Sequence, residues 1–219
     1  MEKNLDYIEL YKLEDEVLSI IVELESDFYL TGGTALHRFY YDARYSDDLD
    51  FFVTNSENMN ESFDEIVQEL NSLGYKVLPD VKARDFCRVT INKILQLDFV
   101  NDRVYRYKKS NIINGIKIDN KINILTNKIN TIINRDEEKD VFDLFCLAYY
   151  EEFNWGDVFK IANKKAVIEK DVFIYRLKQF PIPWLQRIKK IKEIEITSND
   201  IDILCDDVLN EADNSLQRF

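Results

Sequence analysis

Apolar residues near the N-terminus recur at helical spacing: Leu5, Ile8, Leu13, Val17, Ile20 and Ile21 predict an amphipathic helix over residues 5–26. Phe28, Tyr29 and Leu30 form a short β-like run before the adjacent glycines Gly32 and Gly33, and helical spacing then resumes to about Tyr41. Residues 48–54 read as a second strand. Residues 60–73 carry a helical pattern that ends at Gly74, a residue suited to a helix C-terminal cap. Three β-like runs follow at 75–78, 86–91 and 94–100, separated by turn or polar breaks. Helix alternating with strand, then consecutive strands, predicts a mixed sheet with helices packed on it. Beyond residue 116 the helical period dominates. Residues 120–134 place Ile122, Ile124, Leu125, Ile129, Ile132 and Ile133 on one broad face. Further helices are predicted at 140–150, 155–166, 170–180 and 198–216, with a break at Pro181-Ile182-Pro183. The expected fold class is therefore α+β, with a sheet-and-helix core over 1–105 and a helical region over 106–219.

The chain has 219 residues, enough for one substantial core or two small ones. No apolar run approaches the roughly 18 residues of a membrane span, and the acidic N-terminus lacks the apolar core of a signal peptide. Cys87, Cys146 and Cys205 are odd in number and widely spaced, so no disulfide framework or structural zinc is expected, and the compartment expected is the cytoplasm. The single histidine, His37, excludes a multi-histidine metal site and reads as a half-buried helix-face residue. The net charge of −12 is unevenly spread: residues 1–80 carry −14 and 193–219 carry −7, leaving +9 in between. Within that middle, 103–128 holds seven basic residues against Asp119, and 160–192 holds ten against Glu169 and Asp171. Arg103-Val-Tyr-Arg-Tyr-Lys-Lys-Ser110 mixes cations with aromatics, the mixture that holds phosphates and stacks bases; a solvated hairpin or linker is the alternative.

The candidate chemistry starts at the two glycines. Glycines between a strand and a helix let backbone amides approach an anion, with the helix N-terminus adding a favourable field. Asp48 and Asp50 follow on the second strand. Alternation puts both on one face, where two carboxylates repel unless a cation lies between them, and hard oxygen ligands favour Mg²⁺. Asp98 is an acid within an apolar strand, costly unless paired or metal-bound. In the helical half, Lys128-x₆-Arg135-x₃-Lys139-Asp140-x-x-Asp143 places paired charges on helix faces, which by charge alone reads as a salt-bridged surface.

Gly32-Gly33-Thr34-Ala35-Leu36 followed by Arg44-x-Ser46-x-Asp48-Leu49-Asp50-Phe51-Phe52 resembles the nucleotidyltransferase superfamily, and within it the AbiEii/AbiGii-type toxin family. The string from Leu125 and Lys128 to Asp143-Leu144 is similar to the later motifs of that family, so the resemblance spans about 28–145. It implies a nucleotidyltransferase-fold sheet and metal-dependent transfer from a nucleoside triphosphate. Gly32, Gly33, Thr34, Lys128 and Arg135 would face the nucleotide, and Asp48, Asp50 and Asp98 would hold Mg²⁺ or Mn²⁺. Asp98 would complete the metal shell or accept the proton of the attacking hydroxyl. Either Asp140 or Asp143 would orient Lys128 or act as general base. The implied role is a bacterial toxin of a toxin–antitoxin or phage-defence pair, with a cognate antitoxin as partner and RNA, tRNA above all, or protein as acceptor. The rivals are an aminoglycoside-type antibiotic nucleotidyltransferase, a nucleotide-binding relative without catalysis, and a metal-dependent phosphodiesterase. No membrane partner is expected.

Overall fold

A computed structural model describes residues 6–219. The chain forms two compact units. The first comprises the chain up to Ala35 with Ser46–Arg103 and Ser110–Asp119; the second comprises Leu36–Tyr45, Val104–Lys109 and Asn120–Phe219. Among the described residues no helix is long and apolar enough to cross a membrane.

The first unit opens with α1 (Tyr7–Glu23), whose N-terminal amides at Ile8 and Glu9 donate to the side chain of Asp6. Leu5, counted in the expected stripe, lies outside the described residues. Strands β1 (Tyr29–Thr31) and β2 (Asp48–Thr54), helix α3 (Met59–Ser72), and strands β3 (Val77–Lys82), β4 (Phe86–Ile91), β5 (Leu95–Asp102), β6 (Asn111–Ile113) and β7 (Ile116–Ile118) follow. The short helix α2 (Gly32–Leu36) comes between β1 and β2. The seven described strands form one sheet in the order β3-β4-β5-β2-β1-β7-β6. It is mixed as expected: β2 runs parallel to β5 and β1 parallel to β7, with the other pairs antiparallel.

Alternation along β2 buries Leu49, Phe51 and Val53 and leaves Asp48, Asp50 and Phe52 half-buried on the opposite face. The apolar face is built around Phe99, with Phe28, Phe51 and Phe63 at ring-centroid distances of 5.0, 5.3 and 5.3 Å. Phe63 comes from α3, so this is the face the helices cover, and the carboxylates stand on the other.

The β6–β7 hairpin departs from the expected pattern, in which helix took over at residue 116. Its turn is Asn114-Gly115, with φ of 51° and 82°. Two successive positive φ values are the two-residue hairpin geometry that Asn-Gly favours. Leu30 then pairs with Ile118, which returns the chain to the sheet beside β1.

The second unit contains a π-helical turn (His37–Tyr41), helices α4 (Lys121–Asn134), α5 (Glu138–Tyr150), α6 (Trp155–Ala162) and α7 (Lys170–Gln179), a 3-10 turn (Ile182–Arg187) and α8 (Ser198–Leu209). Asn120, Asn154 and Thr197 cap α4, α6 and α8 through their side chains, and Thr197 with Asp200 forms a capping box. Helix α5 is buried on every side from Asp140 to Tyr149. An all-round buried helix is normally apolar throughout. The two aspartates inside this one therefore require partners.

Candidate functional site

In the first unit one transverse row of the sheet collects polar side chains from four strands. Arg88 on β4 stands opposite Asp98 on β5, Asp98 opposite Asp50 on β2, and Asp50 opposite Thr31 on β1. Residues in register project to the same face. Thr31 Oγ1 donates to the Asp119 carboxylate at 2.9 Å, which extends the row to the residue after β7. Asp48 lies two residues before Asp50 on the same face of β2.

The glycine turn is fitted to this row. Gly32 has φ of +71°, and a Cβ there would lie 2.5 Å from Asp50 Oδ2. Any side chain would meet both a strained backbone and the carboxylate. Thr34, one helical step on, donates its hydroxyl to the Asp48 carbonyl and ties α2 to the start of β2.

Asp98 is 8% exposed, and both its oxygens accept from Arg88, Nε and Nη2 each at 2.6 Å. Among the described residues no group of three or more His, Cys, Asp or Glu side chains is disposed to hold a metal ion. The Asp48–Asp50 pair nevertheless fits the chemistry of Mg²⁺, which typically takes one or two carboxylates together with substrate phosphates. The Gly32 approach to Asp50 leaves that side of the pair lined by backbone.

The second unit holds the other predicted residues in an ion network that is buried apart from the exposed Arg135. Lys128 on α4 reaches Asp140 Oδ1 at 2.8 Å and Asp143 Oδ2 at 2.6 Å, the two acids being one turn apart on α5. Arg135 Nε donates to Asp140 Oδ2 at 2.7 Å. Arg44 grips Asp143 through Nε and Nη2 at 2.7 and 2.9 Å, and its Nη1 donates to the Tyr45 carbonyl. His37 Nε2 lies 2.8 Å from Asp143 Oδ1. Burial alone would push Asp143 up, but Arg44, Lys128 and His37 overcome it and hold its carboxyl well below the ordinary range. Asp140 is shifted the same way, against burial, by Lys128 and Arg135. Burial lowers His37 below its usual value despite Asp143, so the ring is neutral at pH 7. An ionised Asp143 only accepts, so Nε2 carries the proton, and Nδ1 is a buried acceptor without a hydrogen-bond partner among the described residues.

The two aspartates left as alternatives thus both turn into the network, and Asp143 is sealed in it completely. His37, expected half-buried on a helix face, is 1% exposed and forms part of that network. It opens the π-helical turn that follows α2, where a helix extending to Tyr41 was expected. Sequence reasoning missed Arg88, Thr31 and Asp119. It quoted Arg44 within a motif but assigned it no role. For Arg88 the one local signal was a cation on a strand that neighbours the Asp98 strand through a short turn.

The segment 103–109 has no regular secondary structure. Arg103 is engaged by Asp85 at 2.8 Å and by Glu57 at 3.7 Å. Lys108 lies over the Tyr107 ring at 5.0 Å and Lys164 over the Tyr105 ring at 4.9 Å.

The family described as nucleotidyl transferase AbiEii toxin, type IV TA system, matches residues 17–187, more than half of the chain. No curated protein matches it significantly. Among solved structures, an H. pylori protein described as a candidate nucleotidyltransferase is 20% identical, covering 91% of this chain and 81% of its own, with a TM-score of 0.50. That likeness extends to the fold. JHP933 from Helicobacter pylori is 19% identical over 95% of this chain and 90% of its own, TM-score 0.49. The MenT4 nucleotidyltransferase toxin of Mycobacterium tuberculosis is 14% identical over 89% and 73%, TM-score 0.43.

Proposed function

From the premise that the chain belongs to the AbiEii nucleotidyltransferase toxin family, we propose that it transfers a nucleotide from a nucleoside triphosphate to an RNA hydroxyl. The observation that carries this reading is the placement of Asp48 and Asp50 on one face of β2, with Asp50 against the Gly32 turn and in register with Asp98. In the reaction an acceptor oxygen bonds to the α-phosphorus, the bond to pyrophosphate breaks, and the hydroxyl proton passes to a base. Mg²⁺ or Mn²⁺ held by Asp48 and Asp50 would supply charge stabilisation on the attacking and leaving oxygens. The backbone at Gly32 and Gly33 is the part of the turn that phosphate oxygens can approach, and Thr34 keeps that turn attached to β2. Asp98, once its oxygens are released by Arg88, would join the metal shell or accept that hydroxyl proton. Lys128 spends two of its three donors on Asp140 and Asp143, so a nucleotide role rests on the third.

RNA as acceptor is favoured by the lysines seated on tyrosines, Lys108 on Tyr107 and Lys164 on Tyr105. Toxicity countered by a cognate antitoxin follows from the same reading. The experiment is incubation with Mg²⁺, each labelled triphosphate in turn, and total RNA or an aminoglycoside panel. Label entering RNA and lost in Asp48→Asn is the expected result; label entering only aminoglycosides favours the antibiotic enzyme. Titration calorimetry with a non-hydrolysable triphosphate should show Mg²⁺-dependent binding that Asp48→Asn/Asp50→Asn abolishes.

A further inference from the structure

Arg88 and Asp98 form a clasp in which a guanidinium covers both oxygens of the carboxylate. Such fork-to-fork pairing is short, charge-assisted and directional. A divalent cation arriving beside Asp50 would share the same two oxygens of Asp98 with the guanidinium, and the two positive charges would repel each other across them. The two cations therefore compete for one acid.

The pair is asymmetric in exposure. The Asp98 side chain is 11% exposed and that of Arg88 is 37% exposed, so the acid is fixed in the sheet while the arginine lies on its water side. Arg88 is seated over the Phe86 ring at 5.3 Å, two residues away on the same strand face. The charge of Asp50 also bears on the Arg88 guanidinium. An arginine in this position offsets the charge of one acid of the row and is able to swing away without opening the apolar core, which lies on the other face of the sheet.

Resting on the nucleotidyl-transfer reading above, we infer that Arg88 is the resident counter-cation of this row, keeping Asp98 from divalent metal until metal and triphosphate arrive together. Arg88 is then a positioning residue: it acts on the reaction through Asp98. Its release leaves a planar fork of donors next to an anionic ligand, and guanidinium–phosphate pairing offsets part of the broken clasp.

The test measures free Mn²⁺ by electron paramagnetic resonance while the full chain is titrated, with and without non-hydrolysable triphosphate analogues. Wild type is compared with Arg88→Gln, Arg88→Lys and Arg88→Gln/Asp98→Asn. Without nucleotide, Arg88→Gln should bind Mn²⁺ about five- to tenfold more tightly than wild type, because one competing charge beside Asp98 is gone. Arg88→Lys should fall between, since an ammonium cannot cover both oxygens. The double variant should lose the gain, because the tightening requires Asp98. A folded Arg88→Gln with unchanged or weaker Mn²⁺ affinity overturns the inference. If that variant does not fold, a folded Arg88→Lys without tightening does the same. Nucleotide-dependent Mn²⁺ binding by wild type in those cases leaves the nucleotidyl-transfer reading standing. Absence of Mn²⁺ binding in every protein, even with nucleotide, overturns both.

Discussion

Asp143 joins three partners of the helical unit in one buried charge network. It is fully buried, accepts from Arg44 and His37, and pairs with Lys128, so removing one partner leaves an uncompensated charge in the interior. Lys128→Ala should therefore lower stability by about 3–5 kcal/mol in denaturant unfolding, far beyond the effect of a surface lysine. A loss under about 1 kcal/mol would mean that the network is solvated and the ammonium free for other work. The same network sets the response to acid. His37 is held below its ordinary 6.5. Between that value and its folded one, the unfolded chain binds a proton that the folded chain refuses, so stability falls as pH falls. Asp140 and Asp143 are depressed below their ordinary 3.8. Their contribution is fully present above that value and is lost as pH drops through their folded values. Melting temperature should thus begin to fall just below about pH 6.5 and fall more steeply below about pH 4. His37→Gln should flatten the upper part alone; an unchanged slope there would remove His37 from the account. Gly32→Ala tests the other unit. It imposes a left-handed φ on a side chain, at about 1–2 kcal/mol, and drives Cβ into Asp50. Nucleotide affinity should fall with stability, and a variant with full affinity would show that the turn is not fitted to the acid pair.

Elements that depend on local pattern were legible in the chain; those that depend on register were not. β2 could be read because Leu49, Phe51 and Val53 alternate with Asp48 and Asp50 within seven residues, and the same alternation put both acids on one face. α3 and α4 likewise declared themselves by their apolar stripes. The β6–β7 hairpin was missed although Asn114-Gly115 is a strong local turn signal, because three-residue strands offer too few positions for a period to show. The row across the sheet lies beyond any local reading. Thr31 and Asp119 are 88 positions apart, and only the pairing of β7 with β1 makes them neighbours. The burial of α5 was hidden for a related reason: its two aspartates look like a polar face until Arg44, Lys128 and Arg135 are brought to them from other segments. At this scale Phe99 is the position on which the first unit turns, since rings from β2 and α3 both pack on it, as does Phe28. Phe99→Ala should cost about 3–5 kcal/mol. Phe99→Leu, which keeps most of the volume, should cost clearly less in the same unfolding measurement. Equal losses would mean that ring contacts rather than filled space hold the face together.

Over the whole molecule the net charge of −12 opposes a polyanionic partner, so any RNA contact must come from cations that are not already neutralised. Many are. Arg88 is paired with Asp98, Arg103 with Asp85 and Glu57, Lys121 with Glu151, Lys160 with Asp157, Lys170 with Glu211 and Arg176 with Asp136. This sorting changes the RNA hypothesis from a whole basic stretch to a short set. Lys108 and Lys164 lie on tyrosine rings, Lys109 is exposed next to Lys108, and in this hypothesis Tyr105 and Tyr107 would supply the faces on which bases stack. Each lysine that contacts a phosphate releases counterions, so the logarithm of RNA affinity should fall linearly with the logarithm of salt concentration. For single strands each lost contact should reduce that slope by about 0.7, so replacing Lys108, Lys109 and Lys164 by alanine should flatten it by roughly 2. Arg103→Ala should leave the slope close to that of wild type, because its charge is already spent on Asp85 and Glu57. Fluorescence anisotropy with a labelled single-stranded RNA, run between about 50 and 200 mM salt, reads both quantities directly. An unaltered slope in the triple variant would show these lysines to be a solvated surface. A slope that changes as much in Arg103→Ala would show instead that RNA opens the Arg103 ion pairs, and would move the contact surface to that side of the segment.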